Sequence, residues 1–332
     1  MDIKSFIGNT PLVELKTFNV PSGVRLFAKV EFMNPGGSIK DRIVTYIIDD
    51  AEDQGLLKPG STIVENTSGN TGAAIAMTAA IRGYHAILTM PDKVSKEKQD
   101  ALRAMGAEVV VCPTSALPDS ADHYVTRARR IHAEMPGSFM INQYDNQLNA
   151  EAHFNSTGPE IWNDLGESIS AFVASGSTGG TISGTSRYLK MQKPSVHSVL
   201  ADPVGSIYHR YFHDGVVDPS QIAPYFVEGA GEDHLAKCMD FSVVDDVIRF
   251  TDSDAFATCQ HLAKREGLVC GGTSGANVWG AVQVARSMTG PATIVTVLPD
   301  SGNKYISKIY NPEWLMQNGF NAGELRSLEL AL

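Results

Sequence analysis

Short runs of Val, Ile, Leu and Ala recur at 26–32, 62–65, 86–90, 109–112, 171–174, 196–200 and 293–298, each the length of one buried strand. Between them, apolar positions fall at helical spacing over 39–54, 72–82, 95–105, 121–134, 150–165, 181–190, 253–266 and 275–288. This alternation predicts parallel sheets covered on both faces, the α/β class. No internal repeat, low-complexity tract or long polar linker breaks the pattern, so two domains would be closely joined. Residues 321–332 read as a short helical tail.

Composition narrows the function classes. The 332 residues suffice for one large or two ordinary domains. A formal charge of −10 argues against a nucleic-acid partner, which would leave a basic footprint. The most apolar helical stretch, near 73–81, falls far short of the roughly 20 residues that span a bilayer, so no membrane partner is expected. The start, Met-Asp-Ile-Lys-Ser, lacks an export signal and predicts a cytoplasmic protein. Cys112, Cys238, Cys259 and Cys270 form no C-x-x-C pair and read as reduced apolar fillers, with no metal site expected.

In open α/β sheets, ligands sit where strands turn into helices. The first such turn is Asn34-Pro35-Gly36-Gly37-Ser38-Ile39-Lys40-Asp41-Arg42, where Ser38 is a candidate helix cap. A Lys in the first helical turn faces the positive end of the dipole, which with desolvation lowers its pKa and frees an amine nucleophile. The plain alternative is a solvated Lys40 beside surface charges Asp41 and Arg42. The second turn, Asn66-Thr67-Ser68-Gly69-Asn70-Thr71-Gly72, offers hydroxyls, an amide and backbone N–H groups as a carboxylate cradle, or else a simple cap cluster. The third, Ser175-Gly176-Ser177-Thr178-Gly179-Gly180-Thr181, suits a phosphomonoester. It fits neither the dinucleotide fingerprint nor the P-loop. A fourth, Cys270-Gly271-Gly272-Thr273-Ser274-Gly275-Ala276, brings hydroxyls that cap a helix or bond a heteroaromatic nitrogen. In the fifth, Leu298-Pro299-Asp300-Ser301-Gly302-Asn303, Asp300 reads most simply as a cap.

A lysine, a phosphate cradle, a carboxylate cradle and a hydroxyl for a ring nitrogen together describe a site for pyridoxal 5′-phosphate (PLP) and an amino acid, with the aldehyde held by Lys40. From Ile7-Gly8-Asn9-Thr10-Pro11-Leu12 to Gly319-Phe320, the chain resembles the cysteine synthase/cystathionine β-synthase family of fold type II PLP enzymes. That resemblance implies two interlocked α/β domains of the tryptophan synthase β type, with mainly parallel sheets and PLP in the cleft between them. Residues 1–41 plus 147–320 would form the larger cofactor-binding domain, 42–146 a smaller mobile domain and 321–332 a tail. It further implies that Lys40 carries PLP and moves the α-proton, and that Asn70 bonds the PLP 3′-oxygen. Thr67, Ser68, Gly69 and Thr71 would hold the substrate carboxylate with Gln143, beside Tyr144. Ser177, Thr178, Gly179, Gly180 and Thr181 match the phosphate loop, and Thr273 stands where a Ser faces the pyridine nitrogen.

Two departures mark this chain. Ser177 replaces the first Gly of the loop, costly if its φ is positive. Asn66 stands where Pro is common. A hydroxyl opposite the ring nitrogen cannot protonate it as a carboxylic acid would, which suits loss of a β-substituent. The implied activity is β-replacement on L-serine or an O-activated serine such as O-acetylserine by a thiol or sulfide, in a homodimer. Tyr144 either assists a poor hydroxyl leaving group or forms an aromatic wall. The alternatives are a non-sulfur nucleophile giving an unusual amino acid, or a serine/threonine dehydratase; dehydratases usually carry His where Thr71 follows Asn70.

Overall fold

The computed structural model describes residues 2–67, 69–117 and 120–332. Its strands are β1 (Leu12–Leu15), β2 (Val24–Val30), β3 (Thr62–Asn66), β4 (His85–Pro91), β5 (Glu108–Cys112), β6 (Ile169–Ser175), β7 (His197–Pro203), β8 (Asp246–Phe250) and β9 (Ala292–Leu298). Its helices are α1 (Lys40–Asp53), α2 (Asn70–Arg82), α3 (Lys96–Ala104), α4 (Tyr124–Glu134), α5 (Leu148–Asn155), α6 (Thr157–Leu165), α7 (Gly180–Gln192), α8 (Tyr208–Asp214), α9 (Asp252–His261), α10 (Gly272–Ser287), α11 (Pro312–Gln317) and α12 (Ala322–Ala331). Among the described residues no helix is long and apolar enough to cross a membrane.

The chain divides into two compact units, 1–7 with 34–148 and 8–33 with 149–332. Local contacts account for the margins of this division. Residues 34–41 belong with α1, because the Gly36 N–H donates to Asp41 Oδ2 at 2.6 Å and the Gly37 N–H to Asn34 O at 2.8 Å. The N-terminal turn is tied to the same helix through Lys4 and Asp49 at 2.8 Å. In the other unit, the terminal helix α12 packs on α9.

The unit 8–33/149–332 holds a six-stranded sheet in the order β1-β2-β9-β6-β7-β8, parallel except for the antiparallel β1–β2 pair. Its central strands are buried almost throughout, as a sheet covered on both faces requires. Helix α10 packs on β9, β6 and β2, with α9 against it. The other unit holds the parallel sheet β3-β4-β5, contacted by α2 and α4. Ile43, Val44, Ile47 and Ile48 form the buried face of α1, which packs on α2.

The expected helix over 150–165 is two helices. Pro159 lacks the N–H that would continue the ladder, and is tolerated because it falls in the first turn of α6. Ser156 marks the break, its Oγ bonded back to Ala152 O at 2.6 Å. Gly158 lets α6 approach α7, for a Cβ there would lie 2.7 Å from the Tyr188 Cβ. The apolar runs missed β1 and β8 because edge strands are half solvated and carry no continuous apolar stretch.

Candidate active site

Lys40 is the first residue of α1, half-buried. Its N–H donates to Ser38 Oγ at 3.3 Å, although Ile39 occupies the cap position itself, so Ser38 is not the cap. The alternative of a turn lined by surface charges does not hold: Asp41 is fully buried and Arg42 nearly so. Lys40 therefore sits at a helix start beside two buried charged side chains.

In the same unit, the Thr67–Thr71 turn opens α2. Thr67 Oγ1 accepts the N–H groups of Gly69 and Gly72, at 3.2 and 3.1 Å, so its oxygen caps the helix while its proton faces elsewhere. Gly72 is dictated by this approach, since a Cβ there would lie 2.6 Å from Thr67 Cγ2. Buried Thr71 donates Oγ1–H to Gln143 Oε1 at 2.6 Å, which joins two carboxylate-cradle residues 72 positions apart. Asn70 begins α2, half-buried, and Tyr144 follows Gln143, also half-buried. Ser68 lies outside the described residues.

Sequence reasoning missed the residue beneath this turn. Glu65, the penultimate residue of β3, is buried, and its Oε2 accepts the Asn142 N–H at 2.8 Å. The backbone N–H groups of Ile141 and Asn66 also favour its charged form. Desolvation outweighs those bonds and pushes its pKa up to about 7. A lone Glu in an apolar strand was the available signal.

The segment expected to bind phosphate lies in the other unit, at the end of β6. Asn277 of α10 fastens that strand end: its Oδ1 accepts from Ser175 N–H and Oγ–H, both at 2.6 Å, and its Nδ2 donates to Val297 O at 2.9 Å. The Gly231 N–H donates to Gly176 O at 2.7 Å, and Tyr208 Oη–H to Ser177 O at 2.7 Å. Asn149 Nδ2 donates to Thr178 Oγ1 at 3.0 Å. Buried His153 links Thr181 Oγ1, at 3.2 Å from Nε2, to Thr157 Oγ1, at 2.9 Å from Nδ1. Asn149 and His153 precede the loop by some thirty residues, which no local pattern reveals.

Gly179 alone turns the loop into the left-handed region, at φ 85°. Ser177 does not: among the described residues only Asn9 and Asn142 combine a side chain with positive φ, so the Ser at the first loop position is unstrained. Its Oγ–H donates instead to Glu232 Oε1 at 2.5 Å.

The N–H groups of Thr178, Gly179, Gly180 and Thr181 find no acceptor among the described residues. Unpaired amides of three buried residues and half-buried Thr181, at the positive end of α7, call for an anion. This donor set fits the phosphate of PLP. Gly180 keeps the floor open, because a Cβ there would meet Asn149 Oδ1 at 2.0 Å.

Thr273, in the first turn of α10, donates its hydroxyl to Glu228 O. Its lone pairs remain to accept, whereas donation to a bare ring nitrogen requires the hydroxyl to leave that carbonyl. Asp300 is not a helix cap; Ser301 caps the following turn. The Asp300 side chain accepts Tyr305 Oη–H at 2.8 Å and its carbonyl accepts the Gly271 N–H at 3.0 Å, bracing the turn that carries Thr273.

Comparison with known proteins agrees with this chemistry. The profile of pyridoxal-phosphate dependent enzymes matches residues 3–300. The chain is 40% identical over 326 residues to a cystathionine beta-synthase of Apis mellifera, covering 96% of this chain and 63% of that protein. It is 39% identical over 307 residues to an O-acetylserine dependent cystathionine beta-synthase of Bacillus subtilis (strain 168), covering 92% and 96%. Among solved structures it resembles an O-ureido-L-serine synthase, with a TM-score of 0.85 and 34% identity over 97% of this chain and 96% of the other. The chain spans only 58–63% of the length of the first curated relatives. The chain belongs to the family of pyridoxal-phosphate dependent enzymes.

Proposed function

We propose that the protein catalyses PLP-dependent β-replacement on L-serine or an O-activated serine such as O-acetylserine, with a thiol or sulfide as nucleophile. The observation that carries this reading is the row of unpaired N–H groups from Thr178 to Thr181, buried but for half-buried Thr181. It suits a phosphate, and Lys40 at a helix start supplies the amine that a PLP enzyme needs. PLP, when bound, supplies an electron sink that makes the α-proton acidic and lets the β-substituent leave.

The chain's residues take the remaining work. Lys40 Nζ holds the cofactor and, once released, takes the α-proton and later returns it. Thr67, Ser68, Gly69, Thr71 and Gln143 hold the donor carboxylate and orient the α-carbon, with Tyr144 beside them. Asn70 bonds the cofactor 3′-oxygen, and Thr273 faces the ring nitrogen. Ser177, Thr178, Gly179, Gly180 and Thr181 bind the phosphate through backbone N–H groups and hydroxyls.

The proposal extends to a smaller mobile domain built on 42–146, a larger cofactor domain built on most of the remaining chain up to 320, and a homodimer. A cytoplasmic location is proposed from the four cysteines, all buried and none in a disulfide.

The purified protein should show the long-wavelength absorbance of lysine-bound PLP, and Lys40→Ala should abolish it. A wild type that stays colourless after reconstitution refutes the reading. A product screen crossing serine and O-acetylserine with sulfide, homocysteine and other nucleophiles then assigns the substrates. Likeness to an O-ureido-L-serine synthase favours testing non-sulfur nucleophiles in the same screen. Pyruvate as the sole product throughout would mean a dehydratase.

A further inference from the structure

Glu65 is a buried acid that the proposed chemistry leaves without a task. It sits one residue before Asn66 and two before Thr67, so its backbone leads directly into one arm of the carboxylate cradle. Its side chain reaches the other arm. The segment after Phe139 pairs alongside β3, with the Val64 N–H donating to Phe139 O at 2.8 Å and the Phe139 N–H to Thr62 O at 2.9 Å. That pairing ends where Asn142 turns its N–H onto the Glu65 carboxylate. Asn142 then adopts the left-handed conformation, at φ 51°, and its carbonyl accepts the N–H groups of Asp145 and Asn146 at 3.1 and 2.9 Å. This kink sends the next side chain, Gln143, to Thr71 at 2.6 Å.

We propose that Glu65 is the positioning residue of the donor-carboxylate cradle: by accepting the Asn142 N–H, its carboxylate fixes the kink that holds Gln143 against Thr71. The proposal deepens the β-replacement reading and rests on it for the identity of the ligand. Neutral hydrogen-bonding groups would place the segment less firmly, because backbone N–H bonds to an ionised oxygen are shorter and stronger.

Holding a buried carboxylate ionised without a cation has a consequence. Protonation replaces one acceptor oxygen by a donor, which turns against a backbone N–H and loosens the Asn142 kink. Arg129 and His132 of α4 and Asp145 line a cavity with Asn66 and Asn142, and the packing elements also carry Tyr124, Arg127, Arg130 and Glu134 on α4, His85 on β4 and Arg82 on α2. None of them appears among the influences on Glu65, which are burial against three N–H donors. With a pKa of about 7, the competent form falls to about a tenth at pH 6, so the apparent affinity for the donor falls roughly tenfold between pH 8 and pH 6.

The test uses the full-length protein, wild type and Glu65→Gln, with three readouts. Hydrogen–deuterium exchange of residues 139–147 in the protein without donor reports the anchor itself. Donor KM and kcat for O-acetylserine, taken across pH 6 to 8, report its effect. PLP absorbance reports whether the site is loaded.

Glu65→Gln should keep PLP, raise exchange at Ile141 and Asn142, and raise donor KM roughly tenfold with kcat within threefold. Wild-type KM should rise as pH falls to 6, and the variant should lack that rise. Unchanged exchange, a flat wild-type KM profile, or a collapse of kcat at constant KM would each overturn the proposal. If the wild type takes no PLP, the β-replacement reading fails, and the exchange result still judges the anchor. Should the variant not fold, the wild-type pH profile alone decides.

Discussion

Gly179→Ala offers a sharp test of how the anion cradle is built. At φ 85° an L side chain is strained by about 1–2 kcal/mol. The added Cβ would also lie 2.5 Å from Met239 Cα and 2.8 Å from Met239 N, both backbone atoms that cannot rotate away. Ordinary carbon contacts begin near 3.5 Å, so the loop must retreat by about 1 Å. An N–H···O bond of about 2.9 Å would then stretch to about 3.9 Å, beyond bonding range. Losing two such bonds to a charged oxygen, at about 1.5–3 kcal/mol each, weakens PLP binding by roughly a hundredfold or more. Gly83→Ala is the control, for its φ of 73° carries similar strain with nothing within 4 Å. Both variants would be titrated with PLP by equilibrium dialysis after urea melts confirm folding. A folded Gly179→Ala that binds PLP within threefold of wild type refutes the phosphate-loop assignment.

Three further outcomes follow from the interior. Lys29, 1% exposed, pairs with Glu160 Oε2 at 2.8 Å and donates to Thr10 O at 2.7 Å, so Lys29→Met should cost about 3–5 kcal/mol in urea unfolding. A loss below 1 kcal/mol would show that Glu160 finds water instead. Asn277→Ala strips partners from the Ser175 N–H and the Val297 carbonyl, and should cost about 2–4 kcal/mol and speed PLP loss on dialysis. Wild-type PLP retention in that variant would disconnect the strand end from the loop. Glu65, raised from 4.5 to about 7 in the folded state, keeps its proton there over a range in which the unfolded chain has lost it. Its contribution is therefore full below pH 4.5 and is lost as pH rises through 7, about 3 kcal/mol at most. The stability difference between wild type and Glu65→Gln should shift accordingly between pH 5 and pH 8, and a constant difference would contradict the raised pKa.

Much of the site was legible because strand-to-helix turns write their chemistry in consecutive residues. The turns at 34–42, 66–72, 175–181 and 270–276 each fall at a helix start. Within the cradle, Thr71 and Gln143 prove to be bonded, although 72 positions separate them. Asp300 was misjudged because its acceptors serve Tyr305 and Gly271, contacts set by how the turn at 270–273 packs on it. The helix over 150–165 was misjudged because an unbroken apolar period outweighed Pro159 and the back-bonding Ser156.

The sequence by itself determined the α/β alternation, the placement of small and hydroxylic residues at strand ends, and hence the kind of anion such ends can hold. Spacing and backbone preference act over a few residues, so they survive in the linear text. Tertiary structure alone decided that Ser177 needs no positive φ, that Asn149 and His153 stand behind the phosphate loop, and that Glu65 anchors Asn142. Those outcomes depend on which donor meets which acceptor across distant segments, and on how completely water is removed from them, neither of which a local pattern of residues contains.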